Sequence, residues 1–167
     1  MKLSSYFQII TKRGIILSLF FMIFTLNSRG QDILISNQGT VTACLGTIYD
    51  SGGLGSGYAN NETYVITICS DEVDGCLQLN FLAFDIEQGF DVLTVYAGSL
   101  AEGDPIAELT GDSGPDVINA GSTCVTLVFS SDGSVTGSGF EIDISCVCPT
   151  CDDGILNGQE LEVDCGG

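Results

Sequence analysis

The chain contains no histidine and no tryptophan, and after residue 30 it contains no lysine, arginine or methionine either. Each absence removes a class of chemistry. Without histidine there is no Ser-His-Asp or Cys-His nucleophile, and no zinc site with an imidazole ligand. Without lysine there is no Ser-Lys pair and no Schiff base. Without either cation there is no clamp for phosphate groups. Carboxylate chemistry is what remains, as in a glycosidase acid pair, but no aromatic-rich groove for a sugar can be read from the sequence. The chain therefore reads as non-catalytic.

Charge is equally one-sided. The four basic residues, Lys2, Lys12, Arg13 and Arg29, all precede residue 31, and all 22 acidic residues follow it, so residues 31–167 carry a formal charge of −22. Such a surface repels polyanions, which argues against nucleic acid as a partner. Self-repulsion also opposes compaction, and a bound divalent cation relieves it locally. The basic residues flank an apolar run, Gly14 to Leu26, followed by the small residues Ser28 and Gly30. That is the pattern of a secretory signal peptide, residues 1–30, cleaved before Gln31. The run is short against the ~20 residues of a membrane span, and no second run follows. The expectation is a mature chain without a membrane span, secreted or held at the cell surface.

The mature part alternates. Leu77–Phe84, Val92–Tyr96, the run with Val125, Leu127 and Phe129, and the run with Phe140, Ile142 and Ile144 show period-two patterning, as half-buried strands do. Thr63–Cys69 is a further strand. The 22 glycines gather in turns, and no helical period of useful length appears after residue 30. The fold class is all-β, and residues 31–147 are enough to bury a core. Three carboxylates, Glu87, Asp91 and Asp132, fall at strand ends, where loops at one end of a sandwich can bring them together. A hard cation that prefers oxygen ligands suits such a set. Asn61-Glu62-Thr63 is an N-glycosylation sequon where that machinery exists, and otherwise a turn.

These residues also carry a family resemblance. The pattern F-x-x-F-x-I-E, D-x-L-x-V-Y-x-G, F-x-S-D-x-S and G-F-x-x-x-I, in that order from Phe81 to Ile144, resembles a CUB domain, over about Cys44 to Cys146. The resemblance implies an antiparallel jelly-roll β-sandwich with one Ca²⁺ site. Its ligands would be the side chains of Glu87, Asp91 and Asp132, with backbone carbonyls at Gly133 and Ser134 completing the shell. It implies a secreted, calcium-dependent adhesion module whose partner is an extracellular protein docking a basic side chain at the ion. The alternative is a structural or carbohydrate-binding accessory domain of a larger secreted protein or hydrolase.

Eight cysteines behind a signal peptide imply disulfides. The resemblance favours Cys44 joined to Cys69. The family's second bridge has no counterpart, because no cysteine immediately precedes Asp91. Cys76, Cys124 and Cys146 lie at strand ends and their pairing stays open. Residues 148–167 form a separate tail with Cys148, Cys151 and Cys165, again with open pairing. Its C-x-D-G, N-G-x-E and D-C-G-G elements resemble the Cys-rich linker repeats of secreted bacterial multidomain proteins, here as a truncated copy.

Overall fold

A computed structural model of the chain describes residues 30–72 and 75–147. Residues 1–29, where a signal peptide is expected, and the tail from residue 148, with Cys148, Cys151 and Cys165, lie outside the described residues.

Among the described residues, ten strands make two five-stranded sheets. They are β1 (Gln31–Leu34), β2 (Gly39–Thr42), β3 (Leu45–Tyr49), β4 (Thr63–Cys69), β5 (Leu77–Asp85), β6 (Val92–Ala97), β7 (Ala107–Leu109), β8 (Val117–Asn119), β9 (Cys124–Ser130) and β10 (Gly139–Cys146). A single 3-10 turn, Ile35–Asn37, separates β1 from β2. One sheet has the order β1-β3-β10-β5-β8 and the other β2-β4-β9-β6-β7. The all-β sandwich expected from the alternating runs is present. It is mixed at the edges: β1 pairs with β3, and β2 with β4, in parallel. The remaining pairs are antiparallel. The short edge strands β1, β2, β7 and β8 escape the sequence reading, because three or four residues are too few to establish a period.

The period-two residues fill the space between the sheets. Ile48, Leu79 and Ile142 of the first sheet face Ile66, Leu93, Val95 and Leu127 of the second, all fully buried. Phe129 and Phe140 meet edge to face across the gap, with centroids 5.5 Å apart. Such aromatic pairs contribute about 1 kcal/mol beyond their buried area.

Register places the loops. In the second sheet the start of β4 (Thr63) and the start of β6 (Val92) both lie opposite Ser130, the end of β9. In the first sheet the end of β5 (Asp85) lies opposite Gly139, the start of β10, and the end of β3 (Tyr49) opposite Glu141. The loops 50–62, 86–91 and 131–138 therefore converge at one end of the sandwich.

The disulfides close the other end, and they correct one expectation. Cys44 is bonded to Cys146 and Cys69 to Cys124, so the Cys44–Cys69 pairing is not formed. The reason is a crossing of the chain. Ala43 still bonds the second sheet, its N–H donating to the Cys69 carbonyl at 2.9 Å. Two residues later, at Leu45, the chain enters β3 of the first sheet. There Leu45 lies opposite Ser145, so the same antiparallel register puts Cys44 opposite Cys146. Cys69 is directly opposite Cys124 on β9. Both bridges are thus cross-strand within a sheet.

Candidate metal centre

Asp91 ends the 86–91 loop immediately before β6 and is fully buried. Burying a carboxylate requires hydrogen bonds to it. Asp91 has two: the Tyr58 hydroxyl donates to Oδ2 at 2.5 Å, and the Asp132 N–H donates to Oδ1 at 2.8 Å. The first ties in the 50–62 loop and the second the 131–138 loop. One side chain therefore joins all three loops.

Tyr58 is the second joint. Besides donating to Asp91, its hydroxyl accepts the N–H groups of Glu87 and Gly137, each at 3.0 Å. Its ring lies edge to face on Phe129 at 5.0 Å, so the loop cluster is anchored in the core. Burial, and then the hydrogen bond to Asp91, push the phenol up to about 12, so the hydroxyl remains a donor at any physiological pH. Sequence reasoning missed Tyr58, an isolated aromatic in a Gly/Ser-rich stretch without periodicity.

The loops approach backbone to backbone. A Cβ at Gly57 would meet the Gly137 carbonyl, and a Cβ at Gly137 would meet the carbonyl of Asp85. Only glycine permits such contact. Further bonds lock the 50–62 loop to the 131–138 loop. Asn61 N–H donates to the Asp132 carbonyl at 2.6 Å, and the Ser131 hydroxyl donates to the Ala59 carbonyl at 2.8 Å. Asn61 has φ 60°, a conformation asparagine tolerates better than most residues. The sequon asparagine thus has a structural task in this turn.

This scaffold brings the three sequence-predicted carboxylates together. One oxygen each from Glu87, Asp91 and Asp132 lies within 4.8 Å of the others. Asp132 is half-fixed by the Ser134 N–H, which donates to Oδ1 at 2.9 Å. Gly133 and Ser134 follow on the exposed part of the same loop. Glu87 differs from its neighbours. Its Oε2 is buried and has no hydrogen-bond partner, the one such side-chain oxygen or nitrogen among the described residues. Desolvation, and then the charges of Asp132 and Asp91, hold its carboxyl above the ordinary glutamate range. Three carboxylates face one another with no cation, since residues 31–167 contain no lysine, arginine or histidine.

Among the described residues, the other acidic side chains do not join the cluster. Asp50, also buried, accepts the N–H groups of Gly52 at 2.7 Å and Phe140 at 3.1 Å, and so caps a turn. Asp85 accepts the N–H and hydroxyl of Ser138, both at 2.8 Å, which lower its pKa.

The strain at Glu87 has a measurable consequence. With divalent ions chelated, Glu87→Gln should raise the melting temperature at neutral pH, because the amide carries no charge to desolvate or repel. The pH slope follows from linkage. A folded pKa above the unfolded value means that the folded state holds the proton longer. Glu87 therefore lets stability fall as pH rises from the ordinary value of 4.5 through the raised one. Thermal melts of the chelated protein across this window should show that slope in the parent and a weaker one in the variant.

The chain is similar to known proteins. The family model of the CUB domain matches residues 37–144. Human Cubilin is 32% identical over 126 residues, which are 70% of this chain and 4% of Cubilin, so the chain spans a small fraction of that relative. Among solved structures, the MASP-1 CUB2 domain bound to Ca²⁺ superimposes with a TM-score of 0.55 at 23% identity, over 65% of this chain and 97% of that one. The CUB1-EGF-CUB2 domains of rat MASP-1 give 0.58 at 19% identity, over 74% and 49%. At these identities the likeness is one of fold.

Proposed function

The chain belongs to the CUB domain family, and from that premise we propose that it is a calcium-dependent adhesion module, non-catalytic, that works outside the cell on a protein partner. CUB domains are extracellular protein-interaction modules. Among the described residues, no helix is long and apolar enough to cross a membrane.

The observation that carries the calcium reading is the buried, unpartnered Oε2 of Glu87. A carboxylate oxygen shielded from water and without a donor is unfavourable, and a cation between the three carboxylates would remove that cost. The donor set is all oxygen, which suits calcium with its 6–8 oxygen ligands and flexible geometry. Glu87, Asp91 and Asp132 would hold the ion, with the backbone carbonyls of Gly133 and Ser134 and with water. The ion supplies fixed positive charge, which holds the loops in one arrangement. The Ca²⁺-bound MASP-1 CUB2 domain shares the fold and supports the reading.

Partner recognition follows from charge. The site's outer carboxylate lone pairs have no cation in the mature chain to meet, so a lysine or arginine of an extracellular protein is the complementary group. Affinity for such a partner should fall with added salt, because exposed charge pairs are screened, and should vanish in EDTA.

Thermal denaturation tests the ion. At a hundred times its dissociation constant, calcium should add about 2.7 kcal/mol, a rise of roughly 10 °C for a domain of this size. Magnesium at matched ionic strength should give much less, since it demands a tighter octahedron. Asp132→Ala should abolish the calcium-specific part. A variant that keeps the full shift would move the site elsewhere and return Glu87 and Asp91 to the role of ordinary acids.

A further inference from the structure

The three most exposed large apolar side chains among the described residues are Leu54, Phe90 and Val135, at 77%, 64% and 63% of full exposure. Each stands on a different loop of the carboxylate site. Leu54 is on the 50–62 loop, Phe90 directly precedes Asp91, and Val135 follows Asp132 by three residues. The other strongly exposed apolar residues are elsewhere. Leu82 lies within β5, and Leu100 lies beyond the far end of β6. Scattered apolar residues on a surface need no explanation. Three at one end, one on each loop of a single cluster, depart from such scatter.

Val135 adds a second reason. Its φ is 56°, a left-handed conformation that is a genuine outlier for a β-branched residue. Its side chain is solvated, so no packing within the domain requires valine there. Glycine would relieve the backbone and asparagine would tolerate it. A strained, exposed valine makes sense where its side chain is used by something outside the domain.

We propose that Leu54, Phe90 and Val135 form an apolar rim around the carboxylate site, and that the surface takes a protein segment in which a lysine or arginine is flanked by large apolar side chains. This rests on the calcium reading above and adds the apolar half of the specificity. Charge complementarity selects the occupant. The site has acid at its centre, so it calls for a cation. A second copy of residues 31–167 has no lysine, arginine or histidine to offer. An anionic membrane is opposed by the −22 charge and its own like sign.

The experiment uses the secreted protein and three immobilised probes: a Leu-Lys-Leu peptide in a Gly/Ser frame, the same peptide as Ser-Lys-Ser, and phosphatidylserine vesicles. In calcium, the protein should bind Leu-Lys-Leu at least tenfold more tightly than Ser-Lys-Ser, and the vesicles not at all. Leu54→Ser, Phe90→Ser and Val135→Gly should each reduce that preference severalfold, and together should erase it, while the calcium-specific melting shift stays intact. Val135→Gly should also raise the melting temperature, which separates lost contact from lost folding. Equal binding of the two peptides, or a preference that survives all three substitutions, overturns the rim. So do binding to vesicles alone and binding to none of the probes while the calcium shift is intact. Loss of the calcium shift in the parent protein would instead overturn the reading on which the rim rests.

Discussion

Asp91→Ala should destabilise the chelated protein by about 4 kcal/mol and also remove its response to calcium. Asp91 is fully buried and accepts from Tyr58 and Asp132. Hydrogen bonds to a charged acceptor contribute about 1.5–3 kcal/mol each, and a donor left unpaired in the interior adds its desolvation cost. Relief of the repulsion on Glu87 offsets part of this. In calcium the gap should widen by the ion's own contribution, about 2.7 kcal/mol at a hundred times its dissociation constant. Tyr58→Phe makes the companion measurement. It strips the donor from Asp91 Oδ2 and leaves the N–H groups of Glu87 and Gly137 without their acceptor, at a cost of about 3 kcal/mol. Because the two residues share one network, the double variant should lose less than the sum by about 1 kcal/mol or more. Guanidinium unfolding of the four proteins, each with calcium and with chelator, reads all of this. An Asp91→Ala protein within 1 kcal/mol of the parent would show that the loop cluster is held by something other than this carboxylate.

With calcium chelated, replacing Cys44 and Cys146 together by serine should cost more than any single change at the site. The bridge spans 102 residues of sequence, for which the chain-entropy relation gives about 4.7 kcal/mol. The Cys69–Cys124 bridge spans 55 and gives about 4.2 kcal/mol by the same relation. Typical domains have only about 5–15 kcal/mol in all, so losing both bridges should leave the chain unfolded at 37 °C. The pairing is directly testable by mapping under non-reducing conditions. Trypsin cannot be used, because residues 31–167 contain no lysine or arginine, but cleavage at aspartate can. It should release the Cys44 peptide linked to the peptide that carries Cys146, and the Cys69 peptide linked to the Cys124 peptide. A peptide joining Cys44 to Cys69 would contradict the crossing of the chain at Ala43. The bridges sit at the end of the sandwich opposite the carboxylates, so the four-cysteine variant, where it can be kept folded by cold or stabilising salt, should retain calcium binding.

Much of this was legible in the sequence by itself. The absence of histidine and of any cation after residue 30 excludes whole classes of chemistry without a fold, because composition does not depend on folding. The alternation at Val125, Leu127 and Phe129, or at Phe140, Ile142 and Ile144, marks strands because a pleated strand with one buried face imposes period two locally. Glu87, Asp91 and Asp132 lie at the points where such runs stop, and the resemblance to a CUB domain singled them out among the 22 acidic residues. The tertiary structure decided everything that depends on pairing between distant segments. Cys44 lies 25 residues from Cys69 in the numbering but belongs to the other sheet, a fact set by where the chain crosses and by the register of β3 against β10. Tyr58 has no local signature at all. Its role arises because three loops, held by the registers of both sheets, meet around one hydroxyl with one donated and two accepted hydrogen bonds. A sequence states which groups are available, whereas register and loop closure decide which of them can reach one another.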